Sequence, residues 1–313
     1  MAKILVTGGA GFIGSHVCDA LLRRGDHVAC IDNFNDYYDP ERKKSNIADA
    51  VEDKNFTLFE ADILDIAKIR EIFDEAQPDK VIHLAARAGV RPSILDPQLY
   101  ADVNIKGTIN LLEVCREFSV KNFVFGSSSS VYGGNENIPF SEKDDVSNPI
   151  SPYAATKRAG ELICHTYHHL YGLNVSCLRF FTVYGPRGRP DMAPFLFTKA
   201  IMDGDEINRF GDGTTKRDYT YISDIVSGVL SALDADYAYE IFNLGNSKTV
   251  VLKDLIATIE DAVGKKAKIV QRPMQPGDVT ITYADISKSR ELLGFEPKVS
   301  VEEGIRKFVE WYR

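Results

Sequence analysis

The chain has 313 residues, 44% of them hydrophobic and 26% charged, with a formal net charge of −8 and a pI near 5.4. That length admits one large α/β domain or an ordinary one with a smaller companion, and the apolar runs are too short and interrupted to span a bilayer. The acidic balance argues against a nucleic-acid partner, which needs a basic footprint, and no secretory leader pattern precedes the first strand, so a cytoplasmic location without membrane contact is expected.

Short β-branched or aromatic runs alternate with helical stretches: KILVTG at 3–8, HVACID at 27–32, FTLFEAD at 56–62, KVIHLAA at 80–86 and NFVFGSS at 122–128. Their nearly continuous apolar character predicts a parallel sheet covered by helices on both faces, with helical spacing at 15–24 and 66–76 between strands. After the first strand, TGGAGFIGSH opens a helix with Gly8, Gly11 and Gly14 in dinucleotide-loop spacing. Gly8 would make the tight turn, Gly11 would let a pyrophosphate meet bare backbone, and Gly14 would let helix and strand pack closely. The second strand ends in Asp32, eighteen residues beyond Gly14, where a carboxylate accepts from ribose hydroxyls and would repel a 2′-phosphate, which predicts NAD rather than NADP. Asp62 and Ile63 end the third strand. Leu84, Ala85 and Ala86 end the fourth, either against the cofactor or as ordinary strand ends.

SSSSVYG at 127–133 follows the fifth strand and places hydroxyls at the cofactor end. Tyr153 and Lys157 in SPYAATK follow Pro152, a residue suited to a helix start, and their spacing of four puts them on one face. Using the phenolate as a base near neutrality requires lowering its pKa by roughly 3 units, and the Lys157 ammonium and a positively charged nicotinamide ring both push that way. Ser128 is the hydroxyl expected to relay the proton; Ser129 and Ser130 are expected to contact substrate, with a polar turn as the alternative for Ser130.

VSCLRFF at 175–181 and EIFNLG at 240–245 read as two further strands, separated by a Pro- and Gly-rich stretch from 185 to 215 where the alternation fails. Residues 252–264 and 301–312 read as amphipathic helices, the first ended by Gly264. The expected organisation is an α/β Rossmann-type doubly wound sheet over 1–181 with 221–245 returning to it, and a smaller C-terminal α/β lobe from 182–220 and 246–313. Cys18, Cys30, Cys115, Cys164 and Cys177 are scattered and odd in number, and His168 and His169 point to different helix faces. Neither set has metal-ligand spacing, so no metal is expected.

The motifs TGGAGFIG, Asp62-Ile63, LAA, SSSSVYG, YAATK, LRFFTVYGP, RDYTYISDI and QPGDV together resemble the extended short-chain dehydrogenase/reductase family, specifically its nucleotide-sugar 4-epimerases, over nearly the whole chain. The resemblance implies a permanently bound NAD, a UDP-sugar substrate and a homodimer built through two helices per subunit. It adds Phe12, Ile13, Asn33, Asn104 and Phe180 to the expected cofactor contacts, with a buried strand phenylalanine as the alternative for Phe180. In this family the tyrosine takes the proton of the 4-hydroxyl while NAD takes the hydride from carbon 4. Similar dehydratases carry Asp-Glu within the serine motif, and related decarboxylases carry a glutamate where Ser130 stands; the serines here argue for epimerisation.

TVYGPRGRPDMAPF at 182–195 and ARAGVRPS at 86–93 are similar to the UDP-glucuronate 4-epimerase branch. A C6 carboxylate needs a cation or a set of donors, which Arg189 and Thr182 would supply; a diphosphate contact or a surface position is the alternative for Arg189. Arg87 and Arg91 are further candidates that can equally sit at a domain interface. Arg217 is expected at the diphosphate and Asp278 at the uridine ribose, while Gln275 stands where some family members have arginine. The expected reaction is conversion of UDP-glucuronate to UDP-galacturonate. UDP-glucose or UDP-N-acetylglucosamine epimerisation is the alternative, and a non-catalytic NAD-binding regulatory protein is a third reading.

Overall fold

The computed structural model describes residues 1–235, 237–274 and 279–313. Twelve strands are formed: β1 Lys3–Thr7, β2 His27–Asp32, β3 Phe56–Glu60, β4 Lys80–His83, β5 Asn122–Ser128, β6 Asn174–Phe180, β7 Thr182–Tyr184, β8 Glu206–Phe210, β9 Lys216–Tyr221, β10 Tyr239–Leu244, β11 Thr249–Val251 and β12 Lys268–Arg272. Seven make one sheet in the order β10-β6-β5-β4-β1-β2-β3, parallel throughout. The chain reverses direction across the sheet between β1 and β4. Ligands bind outside the carboxyl ends of strands at such a switch point.

The near-continuous apolar strands divide by the period of two. Val6, Cys30, Ile82, Val124, Leu178 and Phe242 join one core with the Phe12–Arg23 and Ile222–Asp234 helices. Leu5, Ile31, Val81, Phe123, Val175 and Cys177 join a second core, under the Ile66–Ala76, Gly107–Glu117 and Pro152–Tyr171 helices. Both faces are thus covered, which is why no strand reads as alternating.

Beyond β6 the chain leaves this sheet, returning to it with β10. A three-stranded sheet, β11-β9-β7, and a parallel pair, β12-β8, form the rest. The Pro- and Gly-rich stretch where the alternation fails contains a helix, Ala193–Asp203, and β8. Buried Asp218 at β9 ties this part together, accepting from the backbone N–H groups of Asn246 (2.7 Å), Ser247 (3.0 Å) and Ala284 (3.2 Å).

Candidate active site

The first turn of the Phe12–Arg23 helix begins at Gly11 with no side-chain cap, so its leading N–H groups are open to an anion. Gly8 has φ +69°, and a Cβ there would lie 2.7 Å from the Ala85 nitrogen; at Gly14 it would lie 2.1 Å from the Gly8 carbonyl. Neither position can carry a side chain without moving the loop. Asp32 is buried, its carboxylate accepting from Ala10 N–H (3.1 Å) and Phe34 N–H (2.9 Å), while Asn33 donates to Asp62 (2.8 Å). Burial raises the Asp32 pKa, and these N–H groups and the Lys43 charge oppose that rise. An uncapped helix start, a bare glycine turn and an acid at the end of β2 suit the phosphates and ribose of a dinucleotide.

These residues line a cavity of about 430 Å³ that also takes in Phe12, Ile13, Ile63, Leu84, Ala86, Phe180 and Thr182. Its floor is fixed by a directional chain of hydrogen bonds. Ala85 N–H donates to Thr7 Oγ1 (3.2 Å), which faces His83 Nδ1 (2.7 Å), while His83 Nε2 faces Thr108 Oγ1 (3.0 Å). Thr108 spends its proton on the Asn104 carbonyl at 2.7 Å, so His83 must donate from Nε2 and accept at Nδ1. Burial, helped by the Lys157 charge, lowers the His83 pKa to about 3, consistent with a neutral ring.

Asn104 is not in the cavity wall. Its side chain accepts from Arg87 N–H (2.8 Å) and donates to the Arg87 carbonyl (2.9 Å) and to Thr156 Oγ1 (3.0 Å), joining the loop after β4 to the tyrosine helix. That helix, Pro152–Tyr171, starts as expected: Ser151 caps it by accepting from Ala154 N–H at 3.1 Å. Tyr153 and Lys157 both reach the cavity, joined by Ser127, Ser128, Ser129 and Ser130 from the end of β5 and the following turn.

Ser128 Oγ donates to Ser130 Oγ and accepts from Ser130 N–H (3.2 Å each), and it lines the same cavity as Tyr153. Lys157 is aimed differently from the expectation: its Nζ donates to the Gly126 carbonyl (2.7 Å), and burial lowers its pKa to about 8. Burial raises the Tyr153 pKa, opposed by the neighbouring Ser128 hydroxyl and by the charge of Arg189.

The loop after β7 brings Arg189 and Met192 into the same cavity, opposite Tyr37, Tyr38 and Lys43 from the segment after β2. It is pinned to the first helix by Arg187–Asp19 (2.8 Å) and by His16 Nε2 on the Pro186 carbonyl (2.9 Å). Arg189 itself pairs with Asp191, Nε to Oδ1 at 3.0 Å and Nη2 to Oδ2 at 2.5 Å. Arg87 lines the cavity as well. Arg91 does not: it is exposed, its guanidinium over the Phe210 ring at 5.1 Å. Arg217 on β9 also lies outside the lining, with Nη1 on the Lys216 carbonyl (2.9 Å). Asp278 and Gln275 fall outside the described residues.

Sequence reasoning missed Tyr37, Tyr38, Lys43 and Met192 in the wall and Glu161 behind it. Buried Glu161 takes Ser127 Oγ (2.6 Å) and a two-point pair from Arg179 on β6 (2.9 Å each). Its signal was present, since 153, 157 and 161 share a helical face. Lys43, whose Nζ donates to the Asn35 carbonyl at 2.7 Å, puts a cation near Asp32 where the sequence offered no adjacent arginine.

The profile of the family described as GDP-mannose 4,6 dehydratase matches residues 5–308. A UDP-glucuronate 4-epimerase of Thermodesulfobacterium geofontis is 47% identical over 99% of this chain and 96% of its own. Two solved structures superpose closely, each over 99% of this chain and 98% of the other. The UDP-glucuronic acid 4-epimerase of Bacillus cereus, in complex with UDP-glucuronic acid and NAD, has a TM-score of 0.93 at 39% identity. The UDP-glucose 4-epimerase of Thermotoga maritima, with UDP-glucose, has a TM-score of 0.92 at 37% identity. With the glycine loop, the serine turn and the Tyr-Lys helix gathered on one cavity, and with identity and coverage this high, the chain belongs to the GDP-mannose 4,6 dehydratase family of extended short-chain dehydrogenase/reductases.

Proposed function

We propose that this protein is an NAD-dependent isomerase that epimerises carbon 4 of a UDP-sugar, and that the sugar is glucuronate, converted to galacturonate. NAD, when bound, supplies the hydride acceptor for carbon 4. Gly8, Gly11, Gly14, Asp32 and Asp62 would hold it, along the wall where the glycine loop and the ends of β2 and β3 meet. Tyr153, with Ser128 in the same cavity, takes the proton of the 4-hydroxyl, and Ser129 and Ser130 hold neighbouring sugar hydroxyls. The 4-keto sugar has no covalent tie to the protein, so its ring can turn and present the other face before the hydride and proton return.

One observation carries the uronate reading: Arg189 lines the same cavity as Tyr153, together with the hydroxyls of Thr182, Ser129 and Ser130. Among the described residues, the carboxylates lining the cavity are Asp32 and Asp62, both at the β2–β3 end. Dehydration would need an acid and a base beside the sugar instead. The relatives at 47% and 39% identity named for glucuronate support the reading. A neutral sugar is the second reading, favoured by the prior commitment of Arg189 to Asp191.

The test is to incubate the purified enzyme, without added cofactor, with UDP-glucuronate and separately with UDP-glucose, following products by NMR. Galacturonate should form. Arg189→Ala should lower kcat/KM on the uronate about 10- to 100-fold, the range of a lost charge-assisted pair, and spare a neutral sugar. Turnover of UDP-glucose alone would overturn the uronate assignment and move Arg189 to the diphosphate.

We further propose a homodimer working in the cytoplasm. No helix among the described residues is long and apolar enough to cross a membrane, and all five cysteines are buried free thiols, as suits a reducing compartment. Leu162, Leu170 and Tyr171 are 52%, 64% and 52% exposed on the Pro152–Tyr171 helix, and Ile109 is 36% exposed on the Gly107–Glu117 helix. Exposed apolar side chains on these two helices fit a partner copy's same helices in a two-fold contact.

A further inference from the structure

Arg189 is held on one edge and open on the other. Asp191 takes Nε and Nη2, and the Tyr37 hydroxyl braces the pair, donating to Asp191 Oδ2 at 3.2 Å and accepting from Nη2 at 3.4 Å. The guanidinium also lies over the Tyr37 ring, 5.4 Å from its centroid. Among the described residues Nη1 has no hydrogen-bond partner. Tyr37 belongs to the segment after β2 and Asp191 to the loop after β7, so the brace joins two segments far apart in the chain. Room for the tyrosine hydroxyl is specific as well: a Cβ at Gly89, where φ is +102°, would lie 2.8 Å from it.

We propose that Asp191 is a positioning residue for a carboxylate receptor: it occupies the Nε–Nη2 edge of Arg189, with Tyr37 bracing both, and so presents the Nη1 side to the C6 carboxylate of a uronate. This rests on the uronate reading given above. A free arginine side chain has about 2 kcal/mol of rotamer entropy to lose on binding, and its planar fork binds best when its plane is already set. Asp191 sets that plane before substrate arrives and balances the charge, so the cation is not left unpaired in a partly enclosed cavity. A carboxylate held in a fixed plane is also protected chemically. If the C5–C6 bond of the 4-keto uronate aligns with the carbonyl π system, that bond breaks and CO2 leaves. The electron pair passes through C5 into the C4 carbonyl as an enolate, and C5 then takes a proton from water to give a 4-keto pentose.

The experiment compares wild-type holoenzyme with Asp191→Asn, Asp191→Glu and Tyr37→Phe, measuring kcat and KM on UDP-glucuronate, the affinity for UDP alone, and pentose products by NMR. Asp191→Asn should raise KM for UDP-glucuronate about tenfold, the scale of one charge-assisted hydrogen bond, and release a decarboxylated pentose that the wild type does not. UDP affinity should stay within about twofold, and Asp191→Glu should recover part of the loss. Tyr37→Phe should show the same pentose leak with a smaller rise in KM, and it carries the test if Asp191→Asn does not fold. Unchanged KM without pentose overturns the proposal. So does a fall in KM, which would make Asp191 a competitor of the substrate carboxylate, and so does an equal loss of UDP affinity, which would mean general collapse of the site. A wild type that does not turn over UDP-glucuronate overturns the uronate reading itself, and this proposal with it.

Discussion

Lys157 is 5% exposed, and burial brings its pKa down to about 8 from 10.5. Between those values the unfolded chain keeps a proton that the folded one has released, so this residue's contribution makes stability rise with pH across that window. Below pH 8 both states are charged and the fold carries the cost of the buried ammonium, about 3 kcal/mol. Denaturant unfolding of nucleotide-free protein should therefore find Lys157→Met more stable than wild type at pH 7 by up to that amount, less the bond to Gly126. The gap should close as the pH climbs from 8 to 10; a gap that does not vary with pH would contradict the burial argument. Stability is given up here to keep a cation beside the reacting centre. For the partner residue, Tyr153→Phe should cost activity by at least about a thousandfold while leaving NAD bound, since the ring still packs edge-on against Tyr100 at 6.3 Å and only the proton acceptor is lost. Full turnover by that variant would revive the regulatory reading.

The register β5–β6 sets Ser127 opposite Arg179, and the Pro152–Tyr171 helix lays Glu161 across both. Burial works to raise the Glu161 pKa, but Arg179, Ser127 and Arg158 overcome it and hold the carboxylate below its ordinary range. This pair locks the tyrosine helix to the strand end that carries Ser128. Glu161→Ala would leave a guanidinium buried and unpaired, a loss of about 3–5 kcal/mol readable as a shifted urea midpoint. Glu161→Leu with Arg179→Met should recover most of it, because two apolar groups need no partner. Elements such as these were readable in advance: all seven strands of the main sheet and the Tyr-Lys helix follow from apolar runs, a proline start and spacing of four. That Asn104 ties Arg87 to Thr156 was not readable, since an amide's partners are set by what the fold brings near it and leave no periodic trace in the chain.

At the scale of the whole molecule, the exposed Leu162 and Leu170 of the Pro152–Tyr171 helix stand outside both cores. If they form the two-fold contact, Leu162→Glu with Leu170→Glu should convert the protein from a dimer to a species near 34.8 kDa by light scattering, with the fold kept. An unchanged mass would place any interface elsewhere. The sequence alone pointed to the strands of a parallel sheet, the dinucleotide glycine loop and the Tyr-Lys pair, because each of these is written in residues within a few positions of one another, where helix and strand periods fix geometry. Only the tertiary structure decided that Lys157 turns to Gly126, that Arg189 shares a cavity with Tyr153, that Arg91 and Arg217 stand outside the cavity wall, and that Tyr37 meets Asp191 across 154 positions of chain. Such pairings depend on how separate elements are stacked, and long-range packing is written in no local pattern.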